Sequence, residues 1–188
     1  MCVGVRSAST YAVAIMALTT FLNAKALAIA TESSDNVVRS MWDRLSPLPG
    51  GKLVFSRLIG RMAPYSGSMR ANVEELREGY SRLTLTDRHA VRNHLASIHA
   101  VALANLVELT GNIAALYTLP DDARLIAAGI ALDYTKKARG TITGECHCPL
   151  IDSSTKQEYE IRVVLKDEGG DVVAEGTLRT LVGPKQRA

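Results

Sequence analysis

Residues 98–117 most limit how this chain can fold. They form a run of helical length whose apolar residues, Ile98, Val101, Ala102, Leu103, Leu106, Val107, Leu109 and Ile113, fall on nearly every side. An amphipathic surface helix hides one stripe, whereas a helix that is apolar all round must be covered from more than one direction. The neighbouring segments supply part of the cover. Residues 71–76 and 80–86 read as two strands joined by a turn near 78–79. After Pro120, which ends the helix, four more strand patterns follow at about 125–136, 141–148, 158–166 and 172–182, with turns at Gly140, 153–154 and 169–170. Two strands, one long helix and four strands imply an α+β domain with an antiparallel β-sheet wrapped around one long central helix. A sheet reaches only one side of that helix, so a second copy of the chain is the simplest cover for the other.

Upstream, residues 37–45 read as a short helix broken by the PLPGG run at 47–51, and 52–62 as a second helix ended by Pro64. The expected organisation is an extension at 1–36, targeting-like or disordered, a helical cap at 37–66, and the sheet-and-helix domain at 67–184. Residues 1–30 carry Arg6 and Lys25 with no acid before Glu32, an apolar stretch from Tyr11 to Leu22, and small residues at 26–30. That pattern suits a cleaved signal, an organelle transit segment or an amphipathic helix. Interrupted by Thr19 and Thr20, it is too short for a stable membrane span, which needs about 20 apolar residues. The expected location is the cytoplasm or an organelle matrix.

Charge excludes some partners. The net charge of +3 is spread among acids, and only Lys136, Lys137 and Arg139 form a compact basic group, so no nucleic-acid footprint is expected. Cys2, Cys146 and Cys148 are too few for a disulfide framework and fit a reducing compartment. Cys146 and Cys148 flank His147, but the spacing is not that of a metal knuckle and no second Cys/His pair follows, so no metal is expected.

The chemistry gathers at the start of the long helix. Asn93, His94, Ser97 and His99 lead into it, with Ser97 placed to cap a helix starting at Ile98, and Glu108 is a lone acid among apolar residues. Asn105 and Asn112 lie three and four residues from Glu108 and share its face. At roughly 100° and 1.5 Å per residue, His99 and Glu108 stand on opposite faces about 13 Å apart. If they share a site, two antiparallel copies of the helix must build it.

These residues carry a family resemblance. Asn93, five residues, His99, the small residues Ala100 and Val101, six residues and the acid Glu108 reproduce the central-helix motif of hotdog-fold acyl-CoA thioesterases of the phenylacetate-pathway type. The stretch from Trp42 through SPLPGGK, YSGSM, RNHLASIHAVALANL and YTKKARGT looks closer still to a hotdog subfamily of unknown function. The resemblance covers about 38–182. It implies the hotdog fold, a homodimer or dimer of dimers, and hydrolysis of acyl-CoA or an acyl-carrier thioester, with coenzyme A entering as part of the substrate and no separate cofactor. Glu108, Asn93, His99 and Ala100 would be catalytic, the backbone N–H groups of Ala100 and Val101 binding the oxyanion. Ser97, Val101, Asn105 and Asn112 would line the substrate, with Lys136, Lys137 and Arg139 at the coenzyme A phosphates. The family usually has two glycines after the His and an Asp as the acid, where this chain has Ala100, Val101 and Glu108. A non-catalytic binder of acyl-CoA or acyl carrier, and a dehydratase acting on 3-hydroxyacyl or enoyl thioesters, are the alternatives on the same fold.

Overall fold

The computed structural model describes residues 35–185. The expected signal or transit segment at 1–30 lies outside the described residues. Helices α1 (Val37–Leu45), α2 (Gly51–Met62) and α3 (Pro64–Ser68) precede strands β1 (Asn72–Arg77) and β2 (Tyr80–Leu85). A single 3-10 turn at His89–Val91 leads into the long helix α4 (Ala100–Thr118). Strands β3 (Ala123–Tyr134), β4 (Ile142–His147), β5 (Gln157–Lys166) and β6 (Val172–Pro184) complete the chain.

The six strands form one sheet in the order β1-β2-β4-β5-β6-β3, every neighbouring pair antiparallel. The sheet curls round α4, which touches all six strands, and this is the hotdog arrangement. Leu103, Leu106, Val107, Ile113 and Ala114 of α4 belong to the same buried core as Leu83, Leu85, Ile142, Ile161, Leu165 and Leu178 of the sheet. The close approach depends on absent side chains. A Cβ on Gly111 would lie 2.4 Å from Leu178 Cδ1, and one on Gly176 would lie 2.5 Å from Val107 Cγ1. Inside this contact the Ser81 hydroxyl donates to the Thr110 carbonyl at 2.7 Å. Among the described residues α4 is the one helix long and apolar enough to cross a membrane, and ten of its nineteen residues are buried in the core of this fold.

The far end of α4 is closed by the cap. Asn36 caps α1 by accepting from the Arg39 N–H at 3.0 Å, and its Nδ2 donates to the carbonyls of Leu116 at 2.7 Å and Leu119 at 3.0 Å. Arg39 Nε adds a bond to the Tyr117 carbonyl at 3.0 Å, and its Nη2 another to Leu119. The last carbonyls of a helix have no partner within it, and here α1 supplies one for each of these three. Trp42 of α1 meets Phe55 of α2 edge-on, with ring centroids 5.0 Å apart. The cap therefore covers part of the helix side that the sheet leaves open.

Two sequence expectations shift. Pro64 ends α2, but it also opens α3, because proline suits the first turn of a helix, where its missing N–H is not needed. The long helix begins at Ala100, not at Ile98, because His99 and not Ser97 caps it.

Candidate active site

The loop before α4 is built around Asn93. Its N–H donates to the Ser97 carbonyl at 2.9 Å, while its Oδ1 accepts from the Leu95 N–H at 2.9 Å, the Ser97 N–H at 3.3 Å and the Ser97 hydroxyl at 3.2 Å. Asn93 thus holds a tight turn with its oxygen, and no hydrogen bond engages its Nδ2 among the described residues. Ser97 is buried and spent on that turn, so it is unavailable as the helix cap expected of it.

His99 takes over the cap. Its backbone is extended, and its Nδ1 accepts from the Val101 N–H at 3.1 Å. An imidazole nitrogen that accepts carries no proton, which places the hydrogen of the neutral ring on Nε2 and makes His99 a donor there. The bond also corrects the expected oxyanion donors, because the Val101 N–H is committed to His99. Ala100 retains an N–H with no acceptor among the described residues, at the positive end of the α4 dipole. The Tyr134 hydroxyl donates to the Ala100 carbonyl at 2.9 Å, a contact between β3 and the helix start that sequence spacing does not reveal.

Beside this start lies a pocket of about 200 Å3, lined by His99, Val101 and Asn105 with Tyr65, Met69 and Val91. Asn105 is buried, and its Oδ1 accepts from the Ser66 hydroxyl of α3 at 2.9 Å. Glu108 lies further along α4. It is exposed in the single chain, not enclosed by apolar residues as its sequence context suggests, and no hydrogen bond or ion pair engages it among the described residues. One turn on, the buried Oδ1 of Asn112 has no partner among the described residues.

The expected phosphate group sits in the β3–β4 connection, which the Ile98 N–H joins to the helix start through the Ala138 carbonyl at 2.9 Å. Lys136 is already engaged there. Its Nζ lies 2.8 Å from Asp167 and 2.6 Å from Asp171, and these bonds raise the ammonium pKa above its ordinary value. Lys137 and Arg139 are exposed on either side of the buried Ala138. Asp87 binds the loop from below: the Arg92 guanidinium, 2.6 Å away, holds its carboxyl below the usual range, with help from the Gly140 N–H.

Of the described cysteines, Cys146 lies in β4 and Cys148 just after it, and both are buried. Burial pushes both thiols up, Cys148 to about 12, which leaves them protonated and weak as ligands or nucleophiles. Among the described residues no three His, Cys, Asp or Glu side chains gather as a metal site.

Comparison with known proteins extends this picture. The profile of a domain of unknown function, DUF4442, matches residues 51–182, from the first residue of α2 into β6. No protein of curated function matches the chain in sequence. Among solved structures, PA5026 from Pseudomonas aeruginosa, described as a protein of unknown function and probable thioesterase, is 26% identical with a TM-score of 0.64. The match covers 73% of this chain and 97% of that one. A thioesterase family protein from Silicibacter pomeroyi is 12% identical with a TM-score of 0.59, covering 69% and 96% of the two chains. Thioesterase HI1161 from Haemophilus influenzae is 14% identical with a TM-score of 0.57, covering 65% and 85%. The last two are likenesses of fold alone.

Proposed function

The chain belongs to the DUF4442 family and folds as a hotdog, and from that premise we propose that it is a thioesterase that hydrolyses acyl-CoA or a related acyl thioester as a homodimer. One observation carries the reading: among the described residues α4 offers an uncommitted N–H at Ala100 and, on its exposed side, an unpartnered carboxylate at Glu108. Its solved neighbours include proteins named thioesterases, which supports the same class.

The dimer follows from two needs. Strand β3 is a sheet edge of twelve residues that pairs only with β6, and its Ile126, Ile130 and Tyr134 are about half exposed. A long apolar edge of this kind invites another strand, and a second copy of β3 would satisfy it. Pairing across that edge would bring two α4 helices side by side and set Glu108 of the partner subunit near the helix start built by Asn93, His99 and Ala100.

In the proposed reaction the substrate carbonyl oxygen accepts from the Ala100 N–H, with the Asn93 amide as a second donor. The Glu108 carboxylate takes a proton from water as the water oxygen bonds to the carbonyl carbon. The tetrahedral intermediate then breaks its C–S bond, and the sulfur leaves with the proton from Glu108 as a free thiol, beside the carboxylic acid. His99 positions the helix start through its cap and does not serve as the base. Ser97 holds the loop, Val101 and Asn105 wall the acyl pocket, and Asn112 borders Glu108. Lys137 and Arg139 lie near the helix start as exposed cations.

A non-catalytic binder is the second reading, favoured by Val101, whose half-exposed side chain stands where the family usually has glycine. The dehydratase reading needs a basic His99, and the Val101 N–H occupies its Nδ1. A panel of acyl-CoAs with a colourimetric thiol reagent separates the readings. Native protein releases thiol, and Glu108→Gln lowers kcat by about 100-fold or more, as removal of a general base does. Unchanged turnover removes Glu108 from the mechanism, and ligand-induced thermal stabilisation without thiol release establishes the binder.

A further inference from the structure

A second and larger cavity, of about 600 Å3, lies between α2, α3 and the start of β1, with Leu109 of α4 at its floor. Leu53, Ile59 and Leu109 make part of its lining apolar, and three arginines, Arg57, Arg61 and Arg70, stand around it. No carboxylate lines it, and none of the three guanidinium groups has a hydrogen bond or ion pair among the described residues. Four other exposed arginines are ion-paired: Arg77 and Arg82 with Glu75, Arg92 with Asp87, and Arg179 with Glu158.

The local cost of this grouping is visible in the sequence. Arg57 and Arg61 are four residues apart on α2, so like charges share one face, and the helix GKLVFSRLIGRM holds no acid to relieve them. Arg70 is held at φ +54°, in the left-handed region where a helix usually ends on glycine. The backbones of α2 and α3 press together to bring these residues round one space. A Cβ on Gly67 would lie 2.0 Å from the Gly60 carbonyl oxygen.

We propose that this cleft holds the phosphate groups of coenzyme A. The inference rests on the thioesterase reading and deepens it, by assigning the thiol carrier. Guanidinium groups pair with phosphate through two parallel hydrogen bonds, and three unpaired cations call for a ligand with several anionic groups. Coenzyme A carries a pyrophosphate and a ribose phosphate beside an adenine that suits an apolar floor, whereas a carrier protein brings one phosphodiester. The volume lies in the range of small-molecule sites. The cleft adjoins the site already described: Ser66, on its wall, is bonded to Asn105 of the helix-start pocket, and Leu109 follows Glu108.

The test is calorimetric titration of the full chain with coenzyme A, dephospho-coenzyme A, inorganic phosphate and a phosphopantetheine-bearing carrier protein. Arg57→Ala with Arg61→Ala keeps α2 helical, since alanine is the best helix former, and Arg70→Gly places glycine where the backbone favours it. Both variants are expected to bind coenzyme A at least tenfold more weakly than the native chain, with Arg44→Ala on the remote α1 unchanged. Loss of the ribose phosphate in dephospho-coenzyme A weakens binding to native protein, and millimolar inorganic phosphate does not displace coenzyme A. Native affinity in both arginine variants overturns the proposal. So does displacement by phosphate alone, equal affinity for dephospho-coenzyme A, or equally tight, arginine-dependent binding of the carrier protein. Thiol release is read separately. Its absence with every acyl-CoA defeats the hydrolase reading and leaves the cleft standing, while an active enzyme whose coenzyme A affinity ignores the arginines defeats only the cleft.

Discussion

Asn36 joins the cap to the central helix, and its removal is the sharpest test of how the fold is held. Three bonds of 3.0 Å or shorter meet on this one amide: the oxygen caps α1 through the Arg39 N–H, and the nitrogen serves the Leu116 and Leu119 carbonyls at the end of α4. A helix N-cap contributes about 1 kcal/mol. Each buried hydrogen bond adds about 1 kcal/mol, so Asn36→Ala should cost roughly 3 kcal/mol in all. For a chain of this size that lowers Tm by about 6–12 °C. Asn36→Ser divides the total. Serine caps a helix well but is too short to reach α4, so it should lose only the two inter-helix bonds, about 2 kcal/mol. Urea and thermal melts of the three proteins read these differences as shifts in midpoint at constant m-value. If Asn36→Ser is as stable as the native chain, the bonds to α4 contribute nothing, and the account of the cap is wrong.

Three further outcomes are expected. Arg92 and then Gly140 hold the folded Asp87 carboxyl below its ordinary pKa, so its contribution to stability is complete above that ordinary value, near about 4, and is lost as pH falls through the lower folded value. Urea midpoints of native protein and Asp87→Asn should therefore converge as the solution is acidified, and curves that stay parallel from pH 7 to pH 3 would contradict this. Gly111→Ala should destabilise by about 1–3 kcal/mol through overpacking against Leu178, outweighing the better helix propensity of alanine, and a more stable variant would refute the close contact. Glu108→Gln should abolish most turnover while leaving the unfolding free energy within about 0.5 kcal/mol of native, because its side chain is exposed in the single chain and has no partner among the described residues.

Much of this architecture is legible in one dimension because its signals are local. Alternating apolar residues mark β2, β4, β5 and β6 within a residue or two of their observed limits, and the all-round apolar run marks α4. Competing hydrogen bonds explain the errors at the helix start. Ser97 and His99 are both plausible caps by position, and only the folded loop, where Asn93 engages the Ser97 hydroxyl, leaves the task to His99. Helix α3 is hidden because Pro64 signals an end more strongly than a beginning. Arg57, Arg61 and Arg70 read as ordinary surface charge, although the acid-free α2 with arginines four residues apart is a signal that could have been found.

The order and type of the main elements, the buried helix and the polar motif at its start can be read along the chain, because hydrophobic period and residue spacing act between near neighbours. Which of those polar groups stay available depends on the folded arrangement. Asp167 and Asp171 reach Lys136 from 31 and 35 residues away, His99 occupies the Val101 N–H, and α3 meets Asn105 across 39 residues, whereas the Ala100 N–H and the Glu108 carboxylate have no partner among the described residues. A charge or an N–H is available for chemistry only if nothing else in the fold claims it, and those claims come from residues distant in the chain.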